Sequence, residues 1–175
     1  QARVHPAFVP EHHPLAKVDG VFNAVQLDGD LLGWAMFHGP GAGASPTASA
    51  VVGDIVDVAR LITAGSQQVD SPMLDRNLSI QLIDDLETKY YLRLQAADRP
   101  GVMAQITRVL GDFEVSLASV IQQGIPSGGT SAEIVITTHL AKEASVQEAV
   151  KSLRNLDVVQ DVSNLIRIED SANSY

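Results

Sequence analysis

Asp98-Arg99-Pro100-Gly101-Val102-Met103-Ala104-Gln105-Ile106-Thr107-Arg108-Val109-Leu110-Gly111-Asp112-Phe113-Glu114-Val115-Ser116-Leu117-Ala118-Ser119-Val120-Ile121-Gln122 is the stretch on which the fold turns. The run before it, residues 90–96, is apolar and β-prone and reads as a strand. Asp98-Arg99-Pro100-Gly101 then changes the backbone from extended to helical. Pro100 suits the first turn of a helix, where its missing N–H costs nothing. Val102, Ile106, Val109, Leu110 and Phe113 recur at helical spacing, so residues 100–113 form a helix with one apolar face. A very short link leads to a second strand over residues 115–122.

Toward the C-terminus the alternation continues. Residues 125–130 form a loop rich in Gly and Ser. Residues 132–140 read as a strand, and residues 143–156 as a helix with Val146, Ala149, Val150, Leu153 and Leu156 on one face. The last strand spans residues 158–168, with Val162, Ile166 and Ile168 on one side. The order βαββαβ is the ferredoxin-like split arrangement. It predicts an α+β class with both helices over one face of an antiparallel sheet.

Toward the N-terminus, residues 3–9 look strand-like. Residues 21–27 and 31–37 are apolar, β-prone runs around Asp28-Gly29-Asp30, which predicts a hairpin. Gly39-Pro40-Gly41-Ala42-Gly43 breaks the pattern. Ser45 is the expected N-cap of a helix with Pro46 at its first position. Ala48, Val51, Val52, Ile55, Ala59 and Ile62 follow at helical spacing and predict one buried face, with Asp54, Asp57 and Arg60 solvated. Residues 64–88 are polar and punctuated by Gly65 and Pro72, which marks a linker. The expected division is 1–63, linker 64–88, βαββαβ domain 89–169 and tail 170–175.

Bulk properties remove several classes of function. The 175 residues carry a net charge of -9, and the twelve Lys and Arg residues form no basic run. Nucleic acid and anionic membrane surfaces need clustered positive charge, so neither is an expected partner. With no cysteine, thiolate metal sites, disulfides and cysteine nucleophiles are excluded, and a reducing cytoplasmic setting fits. No apolar run approaches the roughly 20 residues of a membrane span. His5, His12, His13 and His38 lack metal-ligand spacing, no metal site is expected, and the adjacent pair His12-His13 reads as surface structure. The chain starts at Gln1 with a strand-like segment, which suggests a piece of a longer protein.

Two segments carry functional signals. Asp98 can cap the helix that follows; equally, the free N–H groups of that helix can hold the carboxylate of a ligand, with Gly101 permitting close approach. The glycine-rich run ahead of Pro46 can set backbone N–H groups against an anion, although it matches neither a P-loop nor the Gly-x-Gly-x-x-Gly fingerprint. A structural turn accounts for it as well.

Tyr91-Leu92-Arg93-Leu94, followed by Asp98-Arg99-Pro100-Gly101-Val102 and residues 104–106, resembles the opening of an ACT domain. That resemblance spans the whole βαββαβ segment. It implies a regulatory module whose amino-acid effector binds at Asp98, Arg99, Gly101 and Val102, with Ser119 and Gln122 on the next strand as further candidates. It also implies edge-to-edge pairing into a homodimer or higher assembly. Upstream, Val4-His5-Pro6, His13-Pro14-Leu15-Ala16, Val21-Phe22-Asn23-Ala24-Val25, residues 39–50 and residues 54–60 resemble homoserine dehydrogenase. This implies that residues 1–63 are a β-hairpin-plus-helix part of a dehydrogenase substrate domain. It also implies reduction of aspartate semialdehyde with NADPH or NADH, and Gly43, Gly41 and Ala42 close to the nicotinamide end of NADP or NAD in the full-length enzyme. L-Threonine is the effector such a pathway suggests. The Rossmann fingerprint and catalytic lysine of that family are not found in these residues, and Lys17 and Lys89 do not match. No catalytic residue is therefore assigned, no cofactor is expected on this piece alone, and the piece is expected to be inactive by itself. The rival expectation is a free-standing amino-acid-binding or dimerisation module.

Overall fold

Why each segment adopts its structure is visible first in strand burial. The computed structural model describes residues 3–65, 82–124 and 130–169. Most of the expected linker, the loop 125–130 apart from Thr130, and the tail 170–175 lie outside the described residues. In chain order the elements are β1 (Ala7–Phe8), β2 (Phe22–Gly29), β3 (Gly33–Pro40), α1 (Ala44–Thr63), β4 (Glu87–Ala97), α2 (Val102–Asp112), β5 (Leu117–Gly124), β6 (Ser131–Thr138), β7 (Ala141–Lys142), α3 (Glu143–Arg154) and β8 (Val159–Ile168). They fall into two units. Residues 3–10 group with 82–169, and residues 11–65 form the other unit.

The larger unit is a sheet in the order β1-β8-β4-β6-β5, with β7 on the start of β4. All neighbours are antiparallel except β1 and β8. Along β4 burial alternates strictly, so Tyr90, Leu92, Leu94 and Ala96 point to one side. There they meet Val102, Ile106 and Leu110 of α2 and Val146, Ala149, Val150 and Leu153 of α3 in one core. Each large aliphatic side chain buried this way contributes about 1.5–3 kcal/mol, which makes β4 the anchor of the unit. The turn from α2 into β5 is short because Glu114 takes φ +60°. Its N–H and that of Val115 close on the carbonyls of Gly111 and Leu110, a left-handed helix ending.

Two features of this unit differ from the sequence reading. On β8 the inward apolar residues are Val159, Val162 and Leu165, which pair with Ala96, Leu94 and Leu92, whereas Ile166 pairs with Tyr91 on the other face. Irregularities in the β4–β8 register break the period of two, and a one-residue slip moves every later side chain to the opposite face. Secondly, residues 3–10 join this sheet: Ala7 and Phe8 pair in parallel with Arg167 and Ile168. β8 offers these first residues an unpaired edge.

In the smaller unit β2 and β3 form a hairpin with pairs running from Phe22–Pro40 to Gly29–Gly33. Its turn is Asp30-Leu31-Leu32 with Gly33 at φ +69°, later than the expected Asp28-Gly29-Asp30. A three-residue loop closed by a left-handed glycine is a favoured hairpin connection. Helix α1 starts at Ala44 with Gly43 as its N-cap, not Ser45. Proline is tolerated throughout the first turn because those N–H groups have no intrahelical partner, so Pro46 does not fix the start. The expected buried face is not buried: α1 holds no buried residue, and Val51, Val52, Ile55 and Ile62 are each at least half exposed. His13, expected on the surface, is buried, and its Nδ1 accepts the N–H of Leu15 at 3.2 Å at the start of a short 3-10 turn.

Candidate functional site

The turn between β4 and α2 is held by backbone bonds at both ends. Ala97 N–H donates to Val158 O at 2.9 Å and Asp98 N–H to Thr130 O at 2.8 Å. Gly101 then turns the chain at φ +86° with open space where a Cβ would stand. This is a conformation only glycine adopts without strain. The turn lines a cavity of about 460 Å³ whose wall is made of residues 97–103 together with Gln122 of β5 and Ile134 of β6.

Asp98 does not cap α2. The N-cap is Gly101 and no side chain bonds to the helix start. The Asp98 carboxylate instead accepts Nε2 of Gln122 at 3.1 Å, because β5 passes beside the turn. The first turn of α2 therefore carries backbone donors and the positive end of the helix dipole without a side-chain anion. Arg99 and Gly101 are exposed on the rim, and Val102 is buried at 3 % exposure. Asp98, Arg99, Gly101, Val102 and Gln122 thus share one cavity. Ser119 does not line it; its Oγ lies 2.7 Å from Oγ1 of Thr137. The sequence reading missed Met103 and Ile134, which give the cavity an apolar side. Met103 lies two residues past Gly101, but nothing local ties Ile134 to it. The arrangement offers an anion for an ammonium group, helix N–H groups for a carboxylate, and apolar contact for a side chain. It contains no nucleophile–base pair.

At the glycine-rich run, Gly41 and Ala42 donate their N–H groups to Val21 O at 2.8 and 3.2 Å. They are spent inside the protein and cannot cradle a phosphate. Gly41 is required for another reason: a Cβ there would stand 1.9 Å from the Asn23 amide nitrogen. Gly43 has φ +116°, and only the Pro46 ring comes within 4 Å of where its Cβ would be. Gly43 thus leaves the backbone open on the side where a Cβ would stand. Among the described residues no group of three or more His, Cys, Asp or Glu side chains could hold a metal.

A buried polar cluster lies at the far end of β4. Glu143, 2 % exposed, accepts from both Nε and Nη2 of Arg167 at 2.7 and 2.6 Å, from Tyr90 Oη at 2.8 Å and from Gln147 Nε2 at 2.7 Å. Burial alone raises the Glu143 carboxyl, but the bonds from Arg167, Gln147 and Tyr90 outweigh it and hold it below the usual 4.5. Burial, and then Glu143, push the Tyr90 phenol up. Every oxygen of the carboxylate is satisfied, so the cluster ties β4, α3 and β8 together.

The homoserine dehydrogenase family profile matches residues 1–56, and the ACT domain profile matches residues 90–158. Homoserine dehydrogenase of Mycobacterium tuberculosis is 44% identical over 171 residues, covering 96% of this chain and 38% of its own length. That of Neisseria gonorrhoeae is 41% identical over 174 residues, covering 97% and 40%. The crystal structure of a homoserine dehydrogenase from Thiobacillus denitrificans superposes with a TM-score of 0.78 at 40% identity, over 96% of this chain and 38% of that one. The chain thus spans about two fifths of the length of these relatives. It belongs to the homoserine dehydrogenase family, corresponding to the C-terminal region and its ACT domain.

Proposed function

We propose that this chain is the regulatory end of an enzyme that interconverts aspartate semialdehyde and homoserine, and that its ACT domain senses an amino acid, L-threonine first among the candidates. The observation that carries this reading is the cavity beside Gly101, which the Asp98 carboxylate and the uncapped start of α2 both line. The ligand carboxylate meets the α2 N–H groups, its ammonium meets Asp98, and its side chain rests on Met103 and Ile134. Gln122 holds Asp98 in place until the ammonium arrives. Regulation requires that threonine bind one state of the enzyme more tightly than another.

A nicotinamide cofactor supplies or accepts the hydride when bound to the complete enzyme. From this chain, Gly43 allows that group a close approach, with Gly41 and Ala42 shaping the loop. We assign none of the described residues as acid, base or hydride-orienting group, and the 175-residue chain is expected to be inactive by itself. Homoserine oxidation by the purified chain, free of host enzyme, overturns this part. The proposed setting is the cytoplasm; no helix among the described residues is long and apolar enough to cross a membrane.

Pairing of two copies through β5 accompanies this reading. β5 is the outer strand of the sheet, with Val120 40% and Ile121 52% exposed, and pairing removes an open edge. Calorimetric titration of L-threonine into the chain tests the effector. Saturable heat that Asp98→Ala abolishes supports it. Absence of heat at millimolar threonine rules out threonine as its ligand and favours a domain kept for dimerisation.

A further inference from the structure

We infer that Met103 is an oxidation-sensitive switch in the ACT cavity: a peroxide that converts its thioether to the sulfoxide releases the amino-acid effector. This rests on the reading of that cavity as an effector site and adds a second, redox input to it.

Met103 stands where its chemistry matters. It lines the cavity with Ala97, Val102 and Ile134. Val102 and Ile134 are 3% and 1% exposed, whereas Met103 packs against the edge of the core only half-buried. The chain has no cysteine, so methionine sulfur is the softest nucleophile it offers a peroxide. Of its three methionines, Met36 lies on β3 of the other unit and Met73 falls outside the described residues. Among the described residues, Met103 is the one methionine on the cavity wall.

The reaction is a single oxygen transfer. The Sδ lone pair attacks one oxygen of hydrogen peroxide, the O–O bond breaks as the S–O bond forms, and the second oxygen leaves as water after proton transfer. Sulfur loses two electrons and the peroxide gains them. A flexible apolar side chain thereby becomes a polar one with a strong acceptor oxygen. At this position the ligand side chain loses an apolar contact, and a polar S–O group set against Ile134 is costly to bury. The start of α2 also lacks a side-chain cap, and side chains on a helix lean back toward its N-terminus. The sulfoxide oxygen therefore competes with the ligand carboxylate for the same N–H groups. Sulfoxide reductases return the sulfur to the thioether, which makes the switch reversible.

The test titrates L-threonine calorimetrically into the 175-residue chain before and after hydrogen peroxide, with sulfoxide at Met103 followed by peptide mass spectrometry. Affinity is expected to fall about tenfold in step with Met103 oxidation, and to return with a methionine sulfoxide reductase. Met36→Leu combined with Met73→Leu keeps Met103 as the only methionine of the chain and should show the same loss. Met103→Leu should hold through the treatment whatever affinity it starts with. Met103 left unoxidised, or oxidised with affinity unchanged, overturns the switch and leaves the effector reading intact. A loss that persists in Met103→Leu overturns it as well. No threonine heat from the untreated chain sinks the effector reading, and this inference with it.

Discussion

The ACT unit and the hairpin–helix unit are both patterned with apolar residues at regular spacing, yet only one of them has an interior. In the ACT unit the periodic residues of β4, α2, β6 and α3 meet in a single core. In the other unit α1 is as regular a helix, yet none of its residues is buried, and Phe22, Val25, Leu27 and Phe37 of the hairpin stay exposed. Periodicity therefore reports which face a segment offers, and whether that face is covered depends on what is packed against it. An exposed apolar surface of this extent is characteristic of an interaction site. Among the described residues the buried apolar core lies in the ACT unit alone.

That contrast breaks most visibly under substitution. Leu94→Ala, at a position with 0% exposure, should destabilise the ACT unit by about 2–5 kcal/mol. Ile55→Ala in α1, at 61% exposure, should shift stability by no more than about 0.5 kcal/mol. Urea unfolding followed by tyrosine signals for the ACT unit and by Trp34 fluorescence for the hairpin separates the two. Comparable losses at both sites would mean that α1 has a buried face after all.

Next in size is the buried cluster. Glu143→Gln leaves Arg167 without its anion and should cost about 3 kcal/mol, read from the same unfolding curves. The pH dependence carries a definite sign. Glu143 is held below 4.5 in the folded chain, so its contribution is complete above that value and is lost as pH falls through the lowered one. The gap between wild type and Glu143→Gln should narrow in acid. A gap that widens there would mean that the carboxyl is protonated more easily in the folded state.

Smaller effects sharpen the picture at the turn. Asp98→Asn should weaken threonine about tenfold, or 1.4 kcal/mol, with little change in melting temperature; unchanged affinity by calorimetry removes Asp98 from the site. Gly101→Ala, forced to φ +86°, should cost about 1 kcal/mol. Gly111→Ala in α2, where a Cβ meets open space, should stabilise by about 0.5–1 kcal/mol. Opposite signs for two glycines ten residues apart would isolate backbone conformation as the cause.

How much of this was legible in the sequence follows from the range of each interaction. Helices and strands of the ACT unit were readable because Val102, Ile106 and Leu110, or Tyr90, Leu92 and Leu94, encode their own period. The inward face of β8 was misread because the register irregularities opposite Arg93 and Gln95 arise from packing between strands. The turn supplied Asp98, Arg99, Gly101 and Val102 as neighbours in sequence. That Gln122 holds Asp98, and that Ile134 closes the cavity, needed the order of strands in the sheet. Glu143 and Arg167, 24 residues apart, carry no local signal that pairs them. Asp98 does not serve as a cap because its carboxylate is turned to Gln122 on β5, and no side chain bonds to the start of α2.

The edges of the ACT sheet have one more consequence. A sheet bare on both sides can go on adding copies without end, as fibres do. Here β1 covers the β8 edge only at Arg167 and Ile168, while β5 is the outer strand on the opposite side. Pairing of two copies through β5 would bury the fully open edge and leave outward the one that β1 already covers in part, the less adhesive of the two.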